Sequence, residues 1–212
     1  MPGLSLYVHV PFCPSVCPYC DFHKMLRHEG LAARYVSRLE VELAALAAEH
    51  GGPLETLYFG GGTPSHLRDA ELERVFRALE AFGGPARAET TLEADPLTFD
   101  EQRLEFFAGL GVTRLSIGLQ STQDHVLAFL GRLHDGAQGL AAVDQAVASG
   151  VRVNVDVMTA IAGQDLALDL QRVVAAGVKH VSVYSLTVEP HTPFALRGVV
   201  VDEDLDATTF DL

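Results

Sequence analysis

The sequence predicts an α/β chain, a partial (β/α)6 barrel of parallel strands alternating with helices. Three observations carry this. Short runs rich in β-branched and aromatic residues alternate with longer stretches whose apolar residues recur at helical spacing. Glycine or proline punctuates most of the junctions between them. A helix between two strands returns the chain in the same direction, so consecutive strands pair in parallel. Eight such units close a full barrel, and six leave it open.

The elements follow in order. Residues 5–10 form the first strand, and Pro11 ends it just before a loop holding Cys13, Cys17 and Cys20. A long helix over 30–50 is expected to bury Leu31, Tyr35, Leu39, Leu43 and Leu46, and Gly51-Gly52-Pro53 breaks it. The second strand, 56–59, runs into Gly60-Gly61-Gly62. Asp69 is the expected cap of the next helix, which carries Leu72, Val75, Phe76 and Leu79 and closes at Gly83-Gly84-Pro85. The third strand, 88–92, delivers Glu93. Thr98-Phe99-Asp100-Glu101 has the form of a capping box and opens a helix carrying Leu104, Phe107 and Leu110. The fourth strand, 114–119, delivers Gln120; Ser121 is expected to cap a short helix ending near Gly131, and another helix runs from about Ala137 to Gly150. The fifth strand, 152–157, precedes a helix over about 165–176, and the sixth strand covers 180–188.

Composition narrows the function. With 212 residues and 48% hydrophobic content, the chain can bury one sizeable core. Acidic residues outnumber basic ones 28 to 15, a net charge of −13, which disfavours a phosphate-binding surface and so nucleic acid as a partner. No apolar run approaches the roughly 18 uncharged residues of a membrane span. The start Met1-Pro2-Gly3-Leu4 lacks a basic segment followed by an apolar one, so a cytoplasmic setting is expected.

All 3 cysteines lie in the one loop, spaced Cys-x-x-x-Cys-x-x-Cys. Three soft thiolates from one short segment suit an iron–sulfur cluster and leave one iron without a protein ligand. A structural zinc ion instead wants four ligands, for which His9 or His23 is the nearby candidate. Disulfide pairing fails because the number is odd. Otherwise His9 reads as a core or supporting residue of the first strand.

The stretch Leu6-Tyr7-Val8-His9-Val10-Pro11-Phe12-Cys13, with Cys17 and Tyr19-Cys20-Asp21-Phe22, resembles the cluster loop of radical S-adenosylmethionine (radical SAM) proteins. Within that superfamily it resembles the branch of the oxygen-independent coproporphyrinogen III dehydrogenases (HemN) and the heme chaperones (HemW). The likeness continues through Gly60-Gly61-Gly62-Thr63-Pro64-Ser65, Glu93-Ala94-Asp95-Pro96, Ser116-Ile117-Gly118-Leu119-Gln120-Ser121, Gly131-Arg132-Leu133-His134 and Tyr184-Ser185-Leu186-Thr187-Val188-Glu189-Pro190. It implies a 4Fe-4S cluster on Cys13, Cys17 and Cys20, with the remaining iron open to the amino and carboxylate groups of S-adenosylmethionine (SAM). It further implies that Tyr19 stands near the adenosine, that Gly61, Gly62 and Thr63 contact the methionyl amino group, and that Glu93 binds the ribose hydroxyls. Gln120, Arg132 and Asp156 match further positions lining a SAM or second-SAM pocket, and Tyr7 matches a further SAM contact.

The implied chemistry is reductive cleavage of SAM to methionine and a 5′-deoxyadenosyl radical if the cluster is loaded. The implied partners are heme or porphyrin, an electron donor such as flavodoxin or ferredoxin, and a heme-accepting protein. Three departures refine the expectation. The dehydrogenases carry a further cysteine two residues after the third, where this chain has Phe22, so the loop looks like the chaperone branch. The family's Gly-Leu-Pro-Gly-Gln turn is replaced by Ala160-Ile161-Ala162-Gly163-Gln164, so that pocket wall is expected to be altered. Family members also continue into a carboxyl-terminal domain; the core barrel is expected over 1–200, with 201–212 the start of a truncated region. A heme-chaperone core, a decarboxylase converting propionates to vinyl groups, and an inactive remnant are the resulting readings.

Overall fold

A computed structural model describes residues 4–84 and 86–201. Its centre is a single sheet of six strands: β1 (Leu4–Val10), β2 (Leu54–Gly61), β3 (Glu89–Ala94), β4 (Arg114–Gln120), β5 (Arg152–Thr159) and β6 (His180–Ser185). The strands lie side by side in chain order, and every neighbouring pair is parallel. The last strand does not pair with the first, so the barrel is partial, as the alternation of elements requires.

Helices join the strands: α1 (Glu29–His50), α2 (Asp69–Leu79), α3 (Glu101–Gly109), α4 (Asp124–Phe129), α5 (Gly136–Ala148), α6 (Leu166–Ala175) and, after β6, α7 (Pro193–Leu196). One face of each strand packs under the helices. Val8, Val10, Leu57, Phe59, Leu92, Leu115, Ile117, Val155 and Val157 form the centre of the core. The intervening residues, among them Tyr58, Glu93, Ser116, Asp156 and Ser182, face the barrel interior, as the two-residue period of a strand demands. None of the helices among the described residues is long and apolar enough to cross a membrane.

Several local expectations change. The buried face of α1 is Ala32, Val36, Leu39, Leu43 and Ala47, whereas Leu31 and Leu46 remain 40% and 37% exposed. Small alanines let the helix lie close to the sheet, and the larger residues mark the flank instead. Asp69 is not a cap but the first residue of α2, where the Glu71 carboxylate accepts from Arg68 N at 2.8 Å. The cap of α3 is Asp100, which accepts from Arg103 N; Thr98 turns back to the Asp95 carbonyl. Ser121 does not begin α4 either: its hydroxyl donates to Asp169 and accepts from Gln123 N, closing a turn before the helix, which starts after Gln123. β6 stops at Ser185 rather than 188, and α7, capped by Thr192 with Pro193 at its start, was not expected. Pro85 and positions 202–212, which hold almost all of the expected carboxyl-terminal region, lie outside the described residues.

Candidate functional site

The cysteine loop hangs from the carboxyl end of β1 and is fastened at its base. Phe12–Cys13 pairs in parallel with Met25–Leu26, and Met25 N donates to the Pro11 carbonyl at 2.8 Å. The half-buried Arg27 then reaches Glu71 of α2 with bonds of 2.8 and 3.1 Å, tying the loop's exit to the helix that follows the glycine turn. On the other side Gly62 N donates to the Val10 carbonyl and Thr63 N to the Phe12 carbonyl, both at 2.8 Å.

The glycine turn has a steric reason. Gly61 has φ +113°, and a Cβ there would lie 2.6 Å from the His9 ring; a Cβ on Gly62 would lie 2.8 Å from the Pro11 backbone and 3.0 Å from Cys13 Sγ. The side-chain-free turn therefore lets the first two strands and the thiol loop meet. His9 is the brace between them. Its Nε2 contacts the His23 carbonyl at 2.8 Å and its Nδ1 the Tyr7 hydroxyl at 3.2 Å, so both ring nitrogens are engaged.

A cavity of about 570 Å³ opens at the carboxyl ends of the strands. Cys13, Cys17 and Cys20 line it together with Tyr19, Gly61, Gly62, Thr63, Glu93, Gln120, Arg132 and Asp156. Of the residues singled out by sequence, only Tyr7 stands apart: it is 55% exposed and its ring stacks on Tyr58 at 5.9 Å between centroids.

Two carboxylates set the electrostatics of the floor. Glu93 accepts from the Tyr58 hydroxyl at 2.7 Å and from Gly61 N at 3.1 Å. Burial nevertheless raises its pKa above the usual carboxylate value, with the charge of Asp156 adding to the rise. Asp156 accepts from Ser116 at 3.2 Å and from Asn154 at 2.8 Å, and burial raises it too. Tyr184 donates to the Gln120 amide oxygen at 2.6 Å and closes the far wall.

Arg132 is the cation beside the thiols. It pairs with Asp95 at 2.7 Å, donates to the Gly118 carbonyl at 2.6 Å and points Nη1 at Cys17 Sγ, 3.6 Å away. Burial alone would weaken its charge; the Asp95 carboxylate beside it more than offsets this and holds it protonated. Tyr19 itself is pushed well up by burial and stays a phenol.

The donor set fits an iron–sulfur cluster. Three thiols face one cavity, and no group of three or more His, Cys, Asp or Glu among the described residues is gathered closely enough to hold a single ion. Three soft thiolates suit an iron–sulfur cluster, and they fall one short of the four protein ligands that a structural zinc ion wants. With both ring nitrogens engaged, His9 is not free to be a fourth zinc ligand.

Other supporting residues escaped the sequence reading. Tyr58, Lys24 and the Arg27–Glu71 pair carry no motif of their own. Asp169 is fully buried and accepts from Ser121, from the Thr122 backbone and hydroxyl, and from Gln164. It thus locks the ends of β4 and β5 together. Gln164 also donates to the Met158 carbonyl at 2.7 Å, and Ala160 takes φ +61°. The altered turn therefore stays closed at its glutamine end while placing an alanine in the left-handed region.

Comparison with known proteins agrees with this geometry. The chain is 37% identical to the heme chaperone HemW of Escherichia coli strain K12 over 211 residues, which is 96% of this chain and 56% of that protein. It is 37% identical to the HemW of Synechocystis over 205 residues, 90% of this chain and 48% of that protein. The chain thus spans about half the length of the curated relatives it matches. A solved structure titled as the coproporphyrinogen III oxidase HemN of Escherichia coli, a radical SAM enzyme, superimposes with a TM-score of 0.84 at 31% identity, over 96% of this chain and 48% of that one. A solved structure titled native anSMEcpe with bound AdoMet shares the fold alone, at a TM-score of 0.65 and 14% identity, over 86% of this chain and 51% of that one. The Radical SAM superfamily pattern matches residues 7–188, from the first strand to beyond the last, and the chain belongs to that superfamily.

Proposed function

We propose that the chain is the radical SAM core of a HemW-like heme chaperone, a protein of heme and porphyrin metabolism. The observation that carries this reading is convergence on one cavity. The three thiols, the glycine turn, Glu93, Gln120, Arg132 and Asp156 come from separate strand ends and line the same space.

In this reading Cys13, Cys17 and Cys20 hold a 4Fe-4S cluster, which when bound supplies an electron to the sulfonium of SAM. Exposed backbone at Gly61 and Gly62, with the Thr63 hydroxyl, faces the methionyl end. Glu93 keeps lone pairs free for ribose hydroxyls while Tyr58 and Gly61 fix its orientation. Gln120, oriented by Tyr184, and Asp156, oriented by Ser116 and Asn154, bound the opposite wall. Tyr19 covers the loop side. Tyr7 acts through its stacking on Tyr58 and its bond to His9. The reduced thiols suit the cytoplasm, with an electron donor such as flavodoxin or ferredoxin and a heme-accepting protein as partners.

Phe22 favours the chaperone over the decarboxylase. It lines the cavity mouth, 67% exposed, where the dehydrogenases carry a further cysteine. Titration of the reduced, anaerobic protein with heme is the test. A Soret shift that saturates at about one heme per chain is the expected result. No shift, together with vinyl products when coproporphyrinogen III and SAM are supplied, would replace the chaperone reading with the decarboxylase.

A further inference from the structure

Two cations line the cavity beside the thiols, and they differ in how they are used. Arg132 is neutralised by Asp95 at 2.7 Å. Lys24 forms no salt bridge among the described residues. Its ammonium turns back across the loop and donates to the Cys20 carbonyl, which fixes it against the cysteine segment. From there it lines the same cavity as Cys13, Cys17 and Cys20. A half-buried cation with no salt bridge among the described residues, held on the carbonyl of a thiol-bearing residue and lining the cavity that the three thiols share, is an electrostatic arrangement that loop packing alone does not require.

We infer that Lys24 is a charge-tuning residue for the cluster held by this loop: its fixed ammonium favours the reduced state and raises the midpoint potential. The inference rests on the cluster reading above. Reduction by a one-electron donor adds one negative charge to the cluster and moves no proton, so a nearby positive charge acts on the reduced state more than on the oxidised one. Arg132, already paired, contributes less. Hydrogen bonding and net charge near the sulfurs are the means by which a protein sets such potentials.

The test compares the full chain with Lys24→Gln, Lys24→Met and Lys24→Arg, each reconstituted anaerobically with iron and sulfide. Iron and sulfide per chain are measured first, and the midpoint potential is then read by a redox titration followed by electron paramagnetic resonance without SAM. All four proteins are expected to load equally. Gln and Met variants should lose about tenfold in the reduced-to-oxidised ratio at a fixed potential, a negative shift of about 59 mV for one electron, while Arg stays near wild type. Lys24→Gln keeps a donor without the charge, so a wild-type potential in that variant would assign the effect to the hydrogen bond and overturn the inference. Wild-type potentials in both neutral variants, or loss of iron from both, would overturn it as well, the latter by making Lys24 a fastening of the loop. A wild-type chain that takes up no iron overturns the cluster reading itself, and the loading measurement reveals that before any potential is read.

Discussion

Glu93 and Asp156 are the residues at which stability and function pull apart. Both carboxylates are half-buried at the cavity floor, and both have folded-state pKa values raised above the usual range by that desolvation. Their unfolded values are about 4. Between those limits the folded protein binds more protons than the unfolded one, so stability falls as pH rises through the raised folded pKa. Glu93→Gln or Asp156→Asn removes this cost. In the cofactor-free, reduced protein each variant should have a higher urea midpoint than wild type at pH 8, and the advantage should disappear as pH falls towards about 4. An advantage that persists unchanged across that range would mean that packing, not charge, sets the difference. A fold that keeps two destabilising carboxylates side by side is one in which a ligand with matching donors gains from them.

At the scale of elements, the turn after β5 shows a local rule broken and compensated. Ala160 sits at φ +61°, a region that costs a residue with a Cβ about 1–2 kcal/mol. Gln164 and the buried Asp169 hold the turn closed around it. Ala160→Gly should therefore stabilise the fold by about 1 kcal/mol, the relieved strain exceeding the added chain entropy. Chemical denaturation measures this directly, and a destabilised variant would show that the left-handed alanine is not strained. The strands and most helices were legible in the sequence because their punctuation is strong: Pro11, the triple glycine and Gly150 each mark a real boundary. The facing of α1 was not legible, since alanine is a weak hydrophobic signal even where close helix–sheet approach selects it. The expected caps at Thr98 and Ser121 fell short because their hydroxyls close local turns instead, accepting from Asp95 N and Gln123 N, and each helix starts after that turn. The candidate site itself was legible from motifs at strand ends. Its supports, Tyr58, Lys24 and Asp169, were not, because their partners lie far away in sequence or depend on how the loop folds.

At the scale of the molecule, six parallel strands in chain order deliver their carboxyl ends to one side, and the polar interior residues converge there without any strand crossing another. The helices bury the outer face of the sheet, which leaves the inner face to ligands. The net charge of −13 is spread over a surface unsuited to polyanions, whereas the cavity beside the thiols carries two of the chain's 15 basic residues. The central claim is that this convergence serves a cluster with one iron open to SAM. Electron paramagnetic resonance on the anaerobically reconstituted, dithionite-reduced protein, recorded with and without SAM, tests it most directly. A four-iron signal that changes when SAM is added is the predicted result; no cluster signal, or one indifferent to SAM, would contradict it.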